Sequence, residues 1–223
     1  SLARAAWRRD SHLWRDSDLR SIAKVARKYW RFPVISTAST LVNTLGLQLP
    51  AFVVTWFYGP HVTGLYSLTQ RMMGIPMTLL GGAVAQAYLG EVARLGDDTS
   101  GIKRVFMASA SRLLAVGIGP ILVLALCGPQ LFSLVFGRSW LEAGEYVRVM
   151  GMMYLAQLVV SPLSQTLTVL NRLSWQLGWD VARLLVAGLA MIAAGRLKAT
   201  PLAFFWVFSV SMTLMYLLLF GLM

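Results

Sequence analysis

Six apolar stretches fill this chain from Pro33 to its last residue, Met223, and each is long enough to cross a lipid bilayer. A hydrocarbon core of about 30 Å takes roughly 20 helical residues, and backbone polar groups inside it must be satisfied within the segment itself. That length, repeated with short polar breaks, predicts an all-α fold. The expected architecture is a polytopic membrane helical bundle with six transmembrane helices, near 33–57, 63–90, 108–128, 148–170, 174–194 and 201–223. A water-soluble helical core is excluded by runs such as 201–223, which lack the polar face an amphipathic helix shows on every turn. Only 13% of residues are charged and 57% are hydrophobic, against about a quarter charged in soluble domains.

The net charge of +11 comes mostly from residues 1–31, which hold nine of the 20 basic side chains against three Asp. Such a block binds nucleic acid or the anionic face of a membrane. Because it runs directly into the first span and carries Trp7, Trp14, Tyr29 and Trp30, the membrane surface is the expected partner and nucleic acid is not. Leu19, Ile22, Ala26 and Tyr29 recur at helical spacing after Asp16, Ser17 and Asp18, which reads as a helix along the inner leaflet or, equally, as a solvated linker helix. The chain thus divides into a basic segment, 1–32, and a membrane unit, 33–223. It opens Ser-Leu-Ala-Arg, without an initiator Met or a signal peptide, as a fragment or the later part of a longer chain would.

Loop charge sets the orientation. Lys and Arg cluster before the first span, between Glu91 and Arg112, and at Asn171-Arg172, whereas the opposite loops offer Arg138, Arg196 and Lys198. The positive-inside rule then puts both chain ends in the cytoplasm. Trp56, Phe57, Tyr58, Tyr66 and Trp140 are expected at the outer interface, with Tyr29, Trp30 and Trp175 at the inner one.

Polar residues inside the spans follow the helix period. Span one carries Ser36, Thr40, Asn43 with Thr44, and Gln48. Span two carries Thr63, Ser67, Gln70 with Arg71, Gly74, Thr78 and Gln86, and span four carries Gln157, Ser161, Ser164 with Gln165, Thr168 and Asn171. Three matching stripes can enclose a wet cavity, and the small residues among them are equally the kind at which membrane helices touch. Large amides and a guanidinium are different, because at that depth they need water, a partner or a ligand. The expected cavity candidates are therefore Arg71, Gln70, Asn43, Gln48, Gln157 and Gln165. Pro50, Pro76 and Pro120 each remove a backbone hydrogen bond within a span and are expected to kink it, whether for bending between states or as tolerated irregularities.

Two arginines lie deep. Arg71 stands about eight residues from the outer end of its helix, roughly 13 Å into the bilayer, and Arg183 is comparably placed from the other side. Burying a cation there costs from about 3 to more than 10 kcal/mol, so such residues usually face an interior and serve a function. Asp180, three residues before Arg183, is expected to pair with it as a structural or gating element. Arg71 has no acid within helical reach, which favours a ligand anion or a distant partner. An arginine's planar fork of donors suits phosphate oxygens and stays charged at any working pH.

Enzymatic motifs are missing from this sequence: no Walker loop, no CxxC pair and no HExxH occurs. His12 and His61 lack a second ligand at metal spacing, and the single cysteine, Cys127, allows no internal disulfide. Glu142 and Glu145, beside Arg138 and Arg148, read as a solvated salt-bridging turn. Neither catalysis nor a cofactor is expected.

Several runs resemble the bacterial polysaccharide biosynthesis proteins, the lipid-linked oligosaccharide flippases of the multidrug, oligosaccharidyl-lipid and polysaccharide exporter superfamily. They are Tyr29-Trp30-Arg31-Phe32-Pro33, Gln48-Leu49-Pro50, Phe57-Tyr58-Gly59, and Gly64-Leu65-Tyr66-Ser67-Leu68 with Arg71 and Pro76. Further on come Phe136-Gly137-Arg138-Ser139-Trp140 with Ala143-Gly144, then Ser161-Pro162-Leu163-Ser164-Gln165, then Trp179-Asp180 with Arg183. Each run is short, and their order and spacing across about 190 residues carry the resemblance. It implies two six-helix lobes around a central cavity, of which this chain is the C-terminal one, helices seven to twelve, with residues 1–32 as the connection between lobes and an N-terminal lobe missing. The implied substrate is an undecaprenyl diphosphate carrying a short glycan, O-antigen or exopolysaccharide, flipped across the bacterial cytoplasmic (inner) membrane by alternating access. Arg71 then corresponds to a cavity arginine of the eighth helix. Polysaccharide polymerases or glycosyltransferases are further candidate partners. Two rival readings stand beside this one: an amphiphile antiporter of the same superfamily, which would favour acidic and aromatic cavity residues, and a non-transporting scaffold that recruits synthesis enzymes through its basic segment.

Overall fold

The computed structural model describes residues 31–96, 98–169 and 173–223. The basic segment up to Trp30, with its expected surface helix, and the turn Asn171-Arg172 lie outside the described residues. Within them the order is α1 (Arg31–Pro76), a π-helical turn (Met77–Gly81), α2 (Gly82–Leu95), α3 (Thr99–Phe136), a 3-10 turn (Arg138–Trp140), α4 (Leu141–Leu163), α5 (Gln165–Val169), α6 (Leu173–Arg196) and α7 (Pro201–Leu222). Five helical runs are long and apolar enough to cross a membrane, so the chain is a multi-pass helical bundle. Large apolar side chains such as Leu41, Leu134, Leu189 and Leu214 point outward, as lipid contact requires.

The first apolar run, Ser36–Leu95, has 60 residues and would extend about 90 Å if straight, three times the hydrocarbon thickness. It is broken at Gly59, with φ 81° and ψ 178°, a backbone region essentially confined to glycine. The Thr55 and Thr63 Oγ1 atoms are 2.8 Å apart, whereas residues eight apart on a continuous helix are separated by about 12 Å. The chain therefore turns back at Gly59, and α1 has two arms, residues 31–58 and 60–76. The polar break expected between 57 and 63 sits at this turn.

Helix ends differ more from expectation. α3 reaches from Thr99 to Phe136, well beyond 108–128, because apolarity marks where a helix meets lipid and not where its hydrogen-bond ladder stops. Its N-terminus is capped by Asp98, which accepts from Gly101 N at 3.1 Å and from Ser100 Oγ at 2.7 Å. α7 starts at Pro201 behind a Thr200 cap, following the usual placement of Pro at the first helical position. α4 begins at Leu141, so Glu142 and Glu145, expected in a loop, are helical, and Glu145 pairs with Arg148 at 3.4 Å.

The core is assembled on α4. Against α3 it packs backbone to backbone: a Cβ on Gly144 would fall within 2.5 Å of Pro129 N and 2.6 Å of Gly128 C. Neither atom can step aside, so the close crossing depends on glycine. α7 meets α4 through Ser209, whose hydroxyl donates to Val149 O at 2.9 Å, and through the Phe205 and Tyr146 rings, 4.4 Å between centroids. The second arm of α1 joins them where Thr69 Oγ1 donates to Ala143 O at 3.0 Å. Tyr66, expected as an interface anchor, is instead packed inside and stacked on Phe205 at 5.3 Å, whereas Trp56 and Trp175 do project from the surface. The turn is tied to the loop between α6 and α7 by Tyr58, whose hydroxyl donates to Ala199 O at 2.8 Å.

Candidate functional site

α6 carries Gln176, Asp180 and Arg183 at steps of four and three, which stacks them on one face. Opposite stands the first arm of α1 with Ser39 and Asn43, again four apart. Ser39 Oγ donates to Asp180 Oδ2 at 2.5 Å, and Asn43 Oδ1 accepts from Arg183 Nη2 at 2.6 Å. From α7, the Tyr216 hydroxyl accepts from Arg183 Nη1 at 3.2 Å. The guanidinium also lies 4.9 Å from the Trp179 ring centroid. Asp180 and Arg183 are 2% and 5% exposed. Their closest approach, Nη2 to Oδ1, is 3.9 Å, close enough for Coulomb attraction and too long for a hydrogen bond. The buried cation is thus held by an amide, a phenol and an indole face, with the carboxylate one step removed.

Arg183 and Tyr216 line two adjoining cavities. One, of about 340 Å³, is walled by polar groups including Asn43, Ser161, Gln165, Gln176 and Asp180. The other, of about 290 Å³, is lined by Gln48, Gln70, Gln157, Tyr66 and Tyr154, with Pro50 at its wall. A third, of about 420 Å³, shares Gln157 with the second and Gln165 with the first, and is bounded by the π turn through Met77, Thr78 and Gly81. The structure therefore brings the expected amides together around Arg183, in two groups.

Arg71 is placed differently. It is exposed and lines none of these three cavities. Its neighbour Gln70 takes the inward position and donates to the Tyr66 hydroxyl at 2.7 Å. Of the three prolines, Pro50 and Pro120 lie within continuous helix, and Pro76 is followed directly by the π turn. There Thr78 Oγ1 donates to both Gly74 O and Ile75 O at 3.1 Å. Single π turns of this kind are frequent beside functional sites.

Sequence reasoning passed over Ser39, Gln176 and Tyr216. The first two were within reach, since Ser39 is four residues before Asn43 and Gln176 four before Asp180. Tyr216 was within reach too, because Ser209, Thr213 and Tyr216 recur at steps of four and three along α7, and all three are buried. Arg148, read as part of a salt-bridging turn, makes a further contact. Pro129 has no N–H to give to Ala125 O, its i−4 partner, and Arg148 fills the gap: Nε donates to Ala125 O at 3.2 Å and Nη2 to Leu126 O at 3.4 Å. Among the described residues, no group of three or more His, Cys, Asp or Glu is arranged to hold a metal. Outside the apolar runs, Asp98 is held below the usual aspartate range by its bonds from the Ser100 hydroxyl and the Gly101 amide.

The chain is similar to the lipopolysaccharide biosynthesis protein WzxC of Escherichia coli (strain K12), with 23% identity over 177 residues, 79% of this chain and 36% of WzxC. The chain therefore spans about a third of the length of that relative. No solved structure matches. Residues 12–145, more than half of the chain, match the polysaccharide biosynthesis protein family, and the chain belongs to that family.

Proposed function

We propose that this chain is the C-terminal six-helix lobe of a transporter, not an enzyme, that flips undecaprenyl-diphosphate-linked oligosaccharides across the bacterial inner membrane. Both arms of α1 then cross the bilayer, which raises the five apolar runs to six crossings, and both chain ends face the cytoplasm. The observation that carries the reading is the set of adjoining amide-lined cavities around a buried arginine in a family-member bundle whose outer surface is apolar. A wet, cationic recess at membrane depth suits an anionic head group with a hydroxyl-rich glycan, and the apolar exterior leaves the polyprenyl tail in lipid.

In this reading the N-terminal lobe supplies the other wall, and the exposed polar stripe of α1, Thr40, Thr44, Gln48 and Arg71, faces the space between lobes. Arg71 attracts diphosphate as the lobes rock around a site near the midplane. Asn43, Gln48, Gln70, Gln157 and Gln165 bond phosphate or sugar. The Asp180 and Arg183 pair locks the first arm of α1 to α6, and Pro76 with its π turn gives the second arm its bending point. The amide-rich and cationic lining is opposite to what a cationic-drug antiporter needs. The test is Arg71→Ala in the complete protein, read as surface glycan in a strain lacking the native gene. Export should fall at least about tenfold, the equivalent of one lost charge-assisted contact, at unchanged expression; full export would remove Arg71 from the site.

A further inference from the structure

The stretched pair at the cavity junction has a direction built into it. Asp180 spends Oδ2 on another donor, the Ser39 hydroxyl. Arg183 correspondingly gives Nη2 to the neutral Asn43 and Nη1 to the neutral Tyr216, leaving the carboxylate at 3.9 Å. A full charge buried to 5% exposure without a hydrogen-bonded counter-charge is unusual, because removing a cation from water normally requires a close, well-bonded partner. The guanidinium is therefore an incompletely compensated charge. It borders both cavities.

The two sides are not equivalent. The 340 Å³ cavity contains Asp180 itself, so an anion entering there meets a carboxylate. The 290 Å³ cavity is lined by no acidic residue, and Arg183 is its sole charged group, set among the amides of Gln48, Gln70 and Gln157 and the hydroxyls of Tyr66 and Tyr154. Cation, amide N–H donors and hydroxyl donors converging on one recess, with the competing anion behind the guanidinium, form a donor set matched to phosphate oxygens.

We propose that Arg183, from the side of the Gln48, Gln70 and Gln157 cavity, binds a phosphate or diphosphate oxyanion, and that Asp180 is the internal anion with which this ligand competes. Binding draws the guanidinium from Asn43 toward the ligand and so loosens the first arm of α1 from α6. The site stands on its own geometry, and only the choice of a lipid-linked diphosphate as its source rests on the flippase reading. Asp180 acts here as a positioning residue.

The probes are farnesyl diphosphate, inorganic diphosphate and farnesol, titrated by calorimetry into the complete protein in nanodiscs of neutral lipid. Both diphosphates should bind and farnesol should not. Binding of farnesyl diphosphate alone assigns the source to a lipid head group, and binding of inorganic diphosphate alone assigns it to a soluble one. Arg183→Gln should weaken the binding by roughly ten- to a hundredfold, the range of a lost hydrogen-bonded charge. Arg183→Lys should lose less, and Arg138→Gln, a loop charge away from the site, should lose nothing. The decisive variant is Asp180→Asn. Removing a competitor should tighten diphosphate binding by roughly three- to tenfold, whereas a purely structural pair predicts weakening in step with Arg183→Gln. Wild-type affinity in a monodisperse Arg183→Gln protein, or parallel weakening in Asp180→Asn, overturns the proposal. Glycan export measured on the same variants separates the two readings. Arg183-dependent binding in a protein that exports no glycan sinks the flippase function and leaves the site. Export with Arg183-independent binding does the reverse.

Discussion

Arg148 offers a test of how this bundle tolerates proline in a membrane helix. Pro129 leaves Ala125 O without its intrahelical donor, and its ring pushes that carbonyl outward. Arg148 reaches across from α4 to Ala125 O and Leu126 O at 3.2 and 3.4 Å. Hydrogen bonds from a charged donor contribute about 1.5–3 kcal/mol. These are long ones, so the lower end, about 1.5 kcal/mol, applies. The half-exposed ion pair with Glu145 adds about 0.5 kcal/mol, within the range for exposed pairs. Arg148→Met, which keeps the apolar stem and removes every donor, should then cost about 2 kcal/mol. For a chain of this size that is a fall in Tm of about 4–8 °C, read as loss of the monodisperse peak on heating in detergent. In a Pro129→Ala background the restored N–H serves Ala125 O itself. There Arg148→Met should cost only the ion pair, so the double-mutant cycle should return a coupling of at least about 1 kcal/mol. Glu145→Gln measured alone subtracts the ion pair independently. An equal cost for Arg148→Met in both backgrounds would refute the idea that arginine substitutes for the missing amide.

Two further outcomes follow from the turn and the cap. With the free cysteine removed by Cys127→Ser, Thr55→Cys and Thr63→Cys should cross-link under mild oxidant, because their side-chain oxygens sit 2.8 Å apart across Gly59; failure to form the bridge in folded protein would mean a continuous helix through this region, and five crossings in place of six. Asp98 has its carboxyl held down by Ser100 and Gly101, so its cap is present above the ordinary aspartate range, near pH 4, and is lost as pH falls through the lower folded value. Hydrogen exchange at the Gly101 amide should accordingly be faster in Asp98→Ala than in wild type at pH 7, with the difference disappearing on strong acidification; a difference that persists at low pH would show that the carboxylate is not the capping group.

What could be read from the chain and what could not divides along a physical line. Bilayer thickness imposes a length on every crossing, so the apolar runs and the break near Gly59 were visible as composition. Helix ends were not: the ladder of α3 continues past its apolar stretch at both ends, and nothing in hydropathy records hydrogen bonding. Within the spans, the 3.6-residue period groups Asn43 with Ser36 and Thr40, or Gln157 with Ser161 and Gln165, because that grouping is local. Which faces meet is decided by packing between segments far apart in sequence, as when Asn43 finds Arg183 140 residues away.

The two arginines show where local reasoning stops. Adjacent helix positions differ by about 100° in direction, and a stripe written as Gln70 with Arg71 is too coarse to say which of the pair turns inward; the packing of Tyr66 against Phe205 orients the arm so that Gln70 does. Conversely, Asp180 three residues before Arg183 reads as a closed pair, since that spacing places side chains on one face. Sharing a face is not the same as sharing a bond. Asp180 Oδ2 is claimed by Ser39, the donors of Arg183 by Asn43 and Tyr216, and the charges remain 3.9 Å apart. The residue whose charge looked accounted for along its own helix is thus the one that tertiary contacts leave facing the cavities, and the residue that looked isolated lies on the outer face of its arm.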